Sequence, residues 1–193
     1  MRIGVDLDGV CYQWDKTARY MLREILPASP YAKDGPLGVE STSWDYIEQN
    51  VAKGDWKWLW KQGVELGLFR HGHLYPGTIK ALRALDKIGN VVAVTSRPEK
   101  AIEDTMAWIA FHKLPLREVV VLHGGRKSET RECAMYLDDK PENCTDLVEG
   151  WPESYICLMD RPWNQGTSPH GVSRIVTWDD YVSIAKALKE RRK

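Results

Sequence analysis

Two aspartates, Asp6 and Asp8, follow the first apolar run of the chain and are separated by a single residue. The run contains Ile3 and Val5 and is typical of a buried parallel strand. Gly9 comes next and permits a turn that most residues cannot make. Because ligands bind at the carboxyl ends of strands in an open α/β sheet, this spacing predicts a carboxylate pair in an active-site crevice. An ordinary Asp-Gly turn after a strand is the simpler alternative.

Three further polar segments lie at or near the ends of later predicted strands. They are Thr95-Ser96-Arg97-Pro98, Arg126-Lys127-Ser128 and Asp138-Asp139. Adjacent carboxylates repel each other, and a bound divalent cation removes that cost. Oxygen ligands of this kind indicate Mg²⁺. A carboxylate nucleophile, a hydroxyl, a cation and a metal site together make up a set suited to phosphoryl transfer.

The four segments resemble, in the same order, the four motifs of the haloacid dehalogenase superfamily of phosphohydrolases. The resemblance covers residues 3 to about 142. It implies a nucleophilic Asp6 that forms an aspartyl-phosphate, and an Asp8 that acts first as general acid and then as base. It implies that the Thr95 hydroxyl and the Ser96 backbone amide bind phosphate oxygens. Gly9 and Arg97 are further expected contacts of the substrate, although an Arg-Pro pair after a strand is more often a solvated helix start.

Two assignments within the motifs have close alternatives. Lys127 is expected to neutralise the phosphate and the nucleophile, although Arg126 lies next to it and an ordinary surface cation is also possible. The metal is expected to bind the Asp6 carboxylate, the Asp8 backbone carbonyl and one carboxylate of the pair Asp138 and Asp139. Of that pair, Asp139 is preferred as the direct ligand, with Asp138 orienting Lys127 or a water.

A narrower resemblance, to the 5'(3')-deoxyribonucleotidase branch, rests on three segments. They are Leu137-Asp138-Asp139-Lys140-Pro141-Glu142-Asn143, Leu158-Met159-Asp160-Arg161-Pro162-Trp163-Asn164 and Tyr75-Pro76-Gly77. It implies a 5'-nucleotidase that acts on (deoxy)nucleoside monophosphates. The rival functions are a phosphatase for another small metabolite or a nucleic-acid 3'-phosphate, and a phosphate- or nucleotide-binding module without catalysis. A mere binder would not need an acid at Asp8.

The apolar patterns place these motifs in an α/β fold. After the first strand, strands are predicted over 91–94, 119–122, 134–137, 154–159 and 174–176. Helices are predicted over 12–26, 44–49, 78–88, 99–112 and 142–149, near Trp56 and from Asp179, with Ser43 and Asp55 as caps. Alternating strands and helices predict a parallel sheet. Residues 1–13 and 76–193 form the predicted catalytic core, and residues 14–75 form a helical cap inserted after strand 1.

The predicted cap is rich in aromatic residues. Nine tryptophans is a high number for this chain length, and a nucleobase needs an aromatic or apolar surface on which to stack. Trp14, Trp44 and Tyr46 are the candidates for that role, although core packing is the commoner fate of such rings. His71 and His73 form a His-x-His pair without further ligands nearby, which favours solvated side chains over a metal site.

Composition narrows the class of protein. The 193 residues suit one domain with a small insertion, and 27 basic residues balance 27 acidic ones. This balance gives no sign of an obligate nucleic-acid partner. Four scattered cysteines favour reduced thiols in a cytoplasmic protein. No apolar run is long enough for a membrane span. A small phosphorylated molecule is the expected partner, and a homodimer is possible.

Overall fold

The structure is a computed structural model that describes residues 1–31, 35–122, 126–166 and 168–191, so that short gaps fall in both the predicted cap and the predicted core. Six strands pair in parallel in one sheet, in the order β3-β2-β1-β4-β5-β6. They are β1 (Arg2–Val5), β2 (Asn90–Thr95), β3 (Glu118–Val121), β4 (Met135–Asp138), β5 (Tyr155–Met159) and β6 (Val172–Ile175). The predicted α/β class with a Rossmann-like parallel sheet is confirmed.

The strand order creates a switch point at the centre of the sheet. From β1 the chain moves outward through β2 and β3, and it then returns to the other side of β1 for β4 to β6. The carboxyl ends of β1 and β4 therefore lie side by side, at the position where open α/β sheets bind their ligands. The first and last of the four sequence motifs follow or end these two strands.

Seven α-helices are found among the described residues. They are α1 (Trp14–Tyr20), α2 (Tyr46–Asn50), α3 (Lys53–Trp58), α4 (Thr78–Asp86), α5 (Ile102–Phe111), α6 (Pro141–Gly150) and α7 (Trp178–Glu190). Buried residues of α4, α5 and α7 share one hydrophobic cluster with Ile3 and Val5 of β1. Residues of α6 share another with Val92 and Tyr136. Because strand residues alternate between faces, helices cover both faces of the sheet.

Close packing at the centre of the sheet depends on one glycine. A Cβ atom built on Gly4 would lie 2.4 Å from a ring carbon of Tyr136 on the neighbouring strand β4. Tyr136 is almost fully buried and donates its hydroxyl proton to the backbone of Arg131. The absence of a side chain at Gly4 thus lets the Tyr136 ring pack against the backbone of β1.

The segment between β1 and α4 has a hydrophobic core of its own. Its cluster contains Ala18, Met21, Leu22, Leu26, Leu37, Ile47, Leu59, Val64, Leu68 and Phe69, and one residue from outside the segment, Ala101. Helices α1 and α3 each continue into a π-helical turn, at Met21–Ile25 and Leu59–Gly63. This segment therefore packs around a hydrophobic core of its own, and the helical cap over residues 14–75 stays a prediction.

Several predicted element boundaries are wrong. Ser43 does not cap a helix, because α2 begins at Tyr46 after Asp45, and Asp55 lies inside α3 rather than at its cap. The last strand begins at Val172 rather than at the predicted Arg174. Helix α7 begins at Trp178 rather than at Asp179, because Thr177 and Asp180 form a reciprocal capping box. The other elements lie within a few residues of their predicted limits. Within the described residues, no helix is long and apolar enough to cross a membrane.

Candidate active site

Asp6 lies directly after β1 and is held from two sides. Its backbone N–H donates to the Leu137 carbonyl of β4 at 2.8 Å, which continues the sheet ladder by one residue. Its carboxylate accepts a hydrogen bond from Lys127 Nζ at 2.5 Å. Lys127 Nζ also donates to the Val94 carbonyl of β2 at 2.5 Å and lies 3.3 Å from Asp138 Oδ2. One buried ammonium group therefore connects β1, β2 and β4 at the switch point.

Three buried carboxylates, Asp6, Asp138 and Asp139, bring one oxygen each within 4.8 Å of one another. Burial raises the pKa of Asp6 to about 7, where attraction by Lys127 opposes repulsion from Asp138. Burial, followed by repulsion from Asp138 and Asp6, also holds the pKa of Asp139 well above its usual value. Burial is the main cause of both raised pKa values and repulsion between the carboxylates adds to it, so a further positive charge at this place would favour the ionised carboxylates.

The carboxylate oxygens of this cluster differ in how they are satisfied. Asp138 Oδ1 accepts from the Lys140 backbone N–H at 2.9 Å and from Asn143 Nδ2 at 3.1 Å. Asp139 Oδ2 accepts from Trp163 Nε1 at 2.8 Å, whereas Asp139 Oδ1 is buried without a hydrogen-bond partner. A buried, unpartnered carboxylate oxygen beside two other carboxylates is a fitting ligand for a hard divalent cation.

The two neighbouring cations of the third motif point in different directions. Lys127 is buried, and although burial lowers its pKa, attraction by Asp6 and Asp138 carries that pKa above its usual value. Arg126 lies outside, where it pairs with Asp146 and, at 3.1 Å, with Glu149. The structure thus brings Lys127 into the site and leaves Arg126 on the surface.

Gly9 allows the first motif to pass directly against the acidic cluster. It has a φ of 78°, and a Cβ atom built on it would lie 2.0 Å from Asp139 Oδ2. Its carbonyl accepts a hydrogen bond from Arg161 Nε at 2.6 Å. Any side chain at this position would displace the Asp139 carboxylate, so glycine is required for close approach as well as for the turn.

The second motif is divided between the cavity and the interior. Thr95 ends β2, is almost fully buried, and accepts a long hydrogen bond of 3.4 Å from the Arg97 backbone N–H. Thr95 and the more exposed Ser96 both line the cavity above Asp6 and Asp8. Arg97, expected to contact substrate, instead directs its guanidinium at the Asp8 carboxylate, 2.7 Å from Nη2 to Oδ1.

The loop after β5 holds Asp139 in place, a function that the sequence prediction missed. Trp163 donates to the Asp139 side chain, and Asn164 Nδ2 donates to the Asp139 carbonyl at 2.7 Å and to the Met159 carbonyl at 2.8 Å. The signal was present in the Asp-Arg-Pro-Trp-Asn segment, which the resemblance singled out without assigning roles. Only the pairing of β4 with β5 brings this loop to Asp139.

A cavity of about 250 Å³ opens above the carboxylates. Its core end contains the predicted residues Asp6, Asp8, Gly9, Thr95, Ser96, Arg97 and Lys127. Its cap end contains Trp14, Trp44, Trp56, Trp60 and Phe69, with the polar side chains of Asp15, Ser41, Ser43, Asp45 and Glu48. A cavity lined by residues of both the predicted core and the predicted cap suits a small molecule with a charged end and an apolar end.

The cap aromatics line the cavity as a connected wall. Trp14 stacks on Trp60 with centroids 5.9 Å apart and an interplanar angle of 23°, and Trp56 meets Trp60 edge to face at 5.7 Å. Trp56 and Trp60 were not predicted as site residues, although their spacing of four places them on one helical face.

Two aromatic candidates from the sequence differ in position. Trp44 is about half exposed, at 48%, and its ring faces Lys140 Nζ at 5.1 Å. Tyr46 does not line the cavity; it packs against Arg19 and donates its hydroxyl proton to the Pro36 carbonyl. His71 and His73 are exposed and do not belong to the buried acidic cluster.

The fold matches that of solved haloacid dehalogenase-like hydrolases. A protein of this kind from Streptococcus pneumoniae superposes with a TM-score of 0.67 at 10% identity, over 95% of this chain and 97% of that one. A family model described as "5' nucleotidase, deoxy (Pyrimidine), cytosolic type C protein" matches residues 1–189. The chain therefore belongs to this nucleotidase family, within the haloacid dehalogenase fold.

Two curated relatives agree with this assignment. "Putative nucleotidase OB0422" of Oceanobacillus iheyensis is 24% identical over 65% of this chain and 69% of its own length. "Putative nucleotidase BH1399" of Halalkalibacterium halodurans is 25% identical over 93% of this chain and 89% of its own length. The family assigns the chain to the phosphoric monoester hydrolases of nucleotidase type, which take a small phosphorylated substrate.

Proposed function

We propose that the protein is a Mg²⁺-dependent 5'-nucleotidase that hydrolyses (deoxy)nucleoside monophosphates through a phosphorylated Asp6. The observation that carries this proposal is the placement of Asp6. It is a buried carboxylate at the switch point, with Lys127 on one oxygen and two further carboxylates beside it. A carboxylate in such a setting is suited to attack phosphorus rather than to cap a helix.

The proposed reaction has two steps. In the first, an oxygen of Asp6 bonds to phosphorus while the bond from phosphorus to the substrate oxygen breaks, and Asp8 gives its proton to that leaving oxygen. In the second, Asp8 takes a proton from a water that bonds to phosphorus, and the phosphoryl bond to Asp6 breaks. Lys127 offsets the charge of the phosphoryl group, and the Thr95 hydroxyl and the Ser96 amide orient its oxygens.

The acidic cluster fits a bound Mg²⁺ ion. Asp6 and Asp139 would hold it directly, because Asp139 Oδ1 has no hydrogen-bond partner whereas Asp138 is engaged by Lys127, Lys140 and Asn143. The Asp8 carbonyl is a further ligand implied by the family resemblance. When bound, the ion supplies positive charge that offsets the negative charge developing on the phosphoryl oxygens.

The shape and charge of the cavity support a nucleoside monophosphate as substrate. Lys127 lines the core end of the cavity, and the wall of Trp14, Trp56 and Trp60 offers apolar ring surface for a base at the cap end. Asp45 and Glu48 line the same end. Their negative charge disfavours a second phosphate group there, since like charges repel across a short distance. A monophosphate with an uncharged, planar distal group satisfies both ends.

The proposal is tested by a substrate panel assayed with and without metal. We expect hydrolysis of nucleoside 5'-monophosphates to exceed that of sugar phosphates and of nucleoside 3'-phosphates. EDTA should abolish hydrolysis, and added Mg²⁺ should restore it, because the cluster lacks enough fixed positive charge. Full activity in metal-free buffer would contradict the metal assignment, and a preference for sugar phosphates would identify a phosphatase for another metabolite. The cytoplasmic location and the homodimer stay predictions from the sequence.

A further inference from the structure

Arg97 has an environment unlike that of the other cations near the site. Its side chain is only 1% exposed. Each of its three guanidinium nitrogens donates to a side chain: Nε to both oxygens of Asp8 at 3.2 and 2.9 Å, Nη2 to Asp8 Oδ1 at 2.7 Å, and Nη1 to Thr105 Oγ1 at 3.0 Å. Thr105 donates in turn to the Ala101 carbonyl at 2.7 Å. The guanidinium is therefore fixed at both ends and faces Asp8 rather than a substrate oxygen.

Aromatic rings enclose the same guanidinium. Its central carbon lies 4.4 Å from the ring centroid of Tyr12, 4.7 Å from that of Phe69 and 5.6 Å from that of Trp108. Two of these rings are themselves anchored, because Tyr12 accepts from the Gly72 N–H at 2.8 Å and Trp108 donates to the Gly72 carbonyl at 2.8 Å. Ring faces attract a cation and hold its plane in one orientation.

We propose that Arg97 is a positioning residue that holds the Asp8 carboxylate in the orientation needed for proton transfer, and that it does not bind the phosphate. This inference rests on the proposed function, because it assumes that Asp8 is the acid and base. A planar guanidinium gripping a carboxylate with two nitrogens fixes the plane of the carboxylate, which a lysine ammonium cannot do.

The hydrogen bonds also distinguish the two oxygens of Asp8. Oδ1 accepts from both Nε and Nη2, whereas Oδ2 accepts from Nε alone. Oδ2 therefore keeps the freer lone pair, and the geometry assigns the transferred proton to it. As the phosphorus–oxygen bond of the substrate breaks, the proton on Oδ2 moves to the leaving oxygen. In the second step, Oδ2 takes a proton from the attacking water.

The test compares two aryl phosphates of nearly equal size, phenyl phosphate and p-nitrophenyl phosphate. Phenolate needs protonation far more than p-nitrophenolate, so a misplaced acid harms the first substrate more. For Arg97→Ala we expect kcat/KM to fall about 10²-fold with phenyl phosphate and less than about tenfold with p-nitrophenyl phosphate. Guanidinium chloride should restore part of the loss with phenyl phosphate, and sodium chloride at equal ionic strength should not. Equal losses with both substrates, without rescue, would overturn the inference.

Two variants make the result specific. Arg70→Ala removes an arginine that also meets α5, where it pairs with Asp104 at 2.7 Å, and it should leave the ratio of the two substrates unchanged. Asp8→Asn separates the failure of this inference from that of the proposed function. If Asp8→Asn shows no dependence on the leaving group, the assigned mechanism is wrong. If Asp8→Asn shows it and Arg97→Ala does not, only the role of Arg97 is wrong.

A milder change guards against loss of folding. Thr105→Val keeps Arg97 and its pair with Asp8, and it removes the hydroxyl that accepts from Nη1 and donates to the Ala101 carbonyl. We expect a several-fold loss of kcat/KM with phenyl phosphate and a smaller loss with p-nitrophenyl phosphate. If Arg97→Ala does not fold, Arg97→Lys takes its place, and it should show the same selective loss because its single ammonium cannot grip both oxygens. Full activity of both Thr105→Val and Arg97→Lys would contradict the inference.

Discussion

The two ends of the cavity are held together by different forces. At the core end, the acidic groups and Lys127 are fixed by short polar contacts that connect β1, β2 and β4. At the cap end, the rings of Trp14, Trp56 and Trp60 contact one another and pack against the hydrophobic core of the same segment. From this comparison we expect the core end to determine whether a phosphate is hydrolysed and the cap end to determine which phosphate is accepted.

The largest expected effect concerns the nucleophile at the core end. Asp6→Asn should lower turnover of every substrate by about 10⁴-fold or more, as expected when a covalent nucleophile is removed. Asp8→Asn should also fail on nucleotides. With p-nitrophenyl phosphate, however, it should still become phosphorylated, because that leaving group needs little protonation.

Intact-mass measurement after rapid acid quenching distinguishes these two variants. An added phosphoryl group is expected on Asp8→Asn and not on Asp6→Asn. The reverse pattern would exchange the roles of the two aspartates. Undiminished turnover by Asp6→Asn would rule out a phosphorylated Asp6.

The next effect separates two adjacent cations. Lys127→Ala should lower kcat about 10²-fold or more for all substrates, comparable with the loss of one donor to a developing negative charge. Arg126→Ala is the matched control, because the exposed Arg126 side chain pairs only with Asp146 and Glu149 among the described residues and does not reach the acidic cluster. Its kcat should stay within about twofold of the wild type, since exposed ion pairs contribute little. If Arg126→Ala lowers kcat more than Lys127→Ala does, the assignment of Lys127 as the cation of the third motif is wrong.

A smaller, selective effect is expected at the cap end. Trp44→Ala should raise KM for a nucleoside monophosphate about tenfold, since stacking of a base on an aromatic ring contributes about 1–3 kcal/mol. It should leave p-nitrophenyl phosphate hydrolysis nearly unchanged. Tyr46→Ala, two residues away and outside the cavity lining, serves as the control and should alter neither substrate. Equal losses for Trp44→Ala with both substrates would mean that this ring only supports the cap.

The smallest effect concerns stability and its dependence on pH. Without metal, the folded state raises the pKa of Asp6 to about 7 and that of Asp139 well above its usual value. Their contribution to the free energy of unfolding is therefore fully present below the usual carboxyl pKa of about 4, and it is lost as the pH rises through the raised values.

Thermal unfolding in EDTA measures this contribution. The Tm should fall by about 5 °C or more between about pH 5 and pH 8, and saturating Mg²⁺ should remove most of that fall. Asp139→Asn is the control, and its Tm in EDTA should vary less with pH. A Tm that rises over this range in EDTA would contradict the assigned carboxyl pKa shifts.

The sequence predicted the core end more completely than the cap end, for a physical reason. The carboxylates of Asp6 and Asp138 follow or end apolar runs, and the parallel pairing of β1 with β4 brings these two strand ends together. The grip of Arg97 on Asp8 was missed because it depends on side-chain direction at the end of β2, which residue types do not encode. The cap wall was predicted only in part, because Trp56 and Trp60 line the cavity through packing against Trp14, which is about 40 residues away in the sequence.

The way the chain enters and leaves the cap has a consequence for engineering. Tyr12 and Leu74 form an antiparallel bridge, and the Gln13 N–H donates to the His73 carbonyl at 2.9 Å. The Tyr75 N–H donates to the Cys11 carbonyl, also at 2.9 Å. These hydrogen bonds join the two ends of the segment at a narrow neck. Closing the segment into a loop between them therefore costs little further conformational entropy. A cap of different length or origin, grafted at this neck, should change substrate choice while the sheet beneath it folds as before.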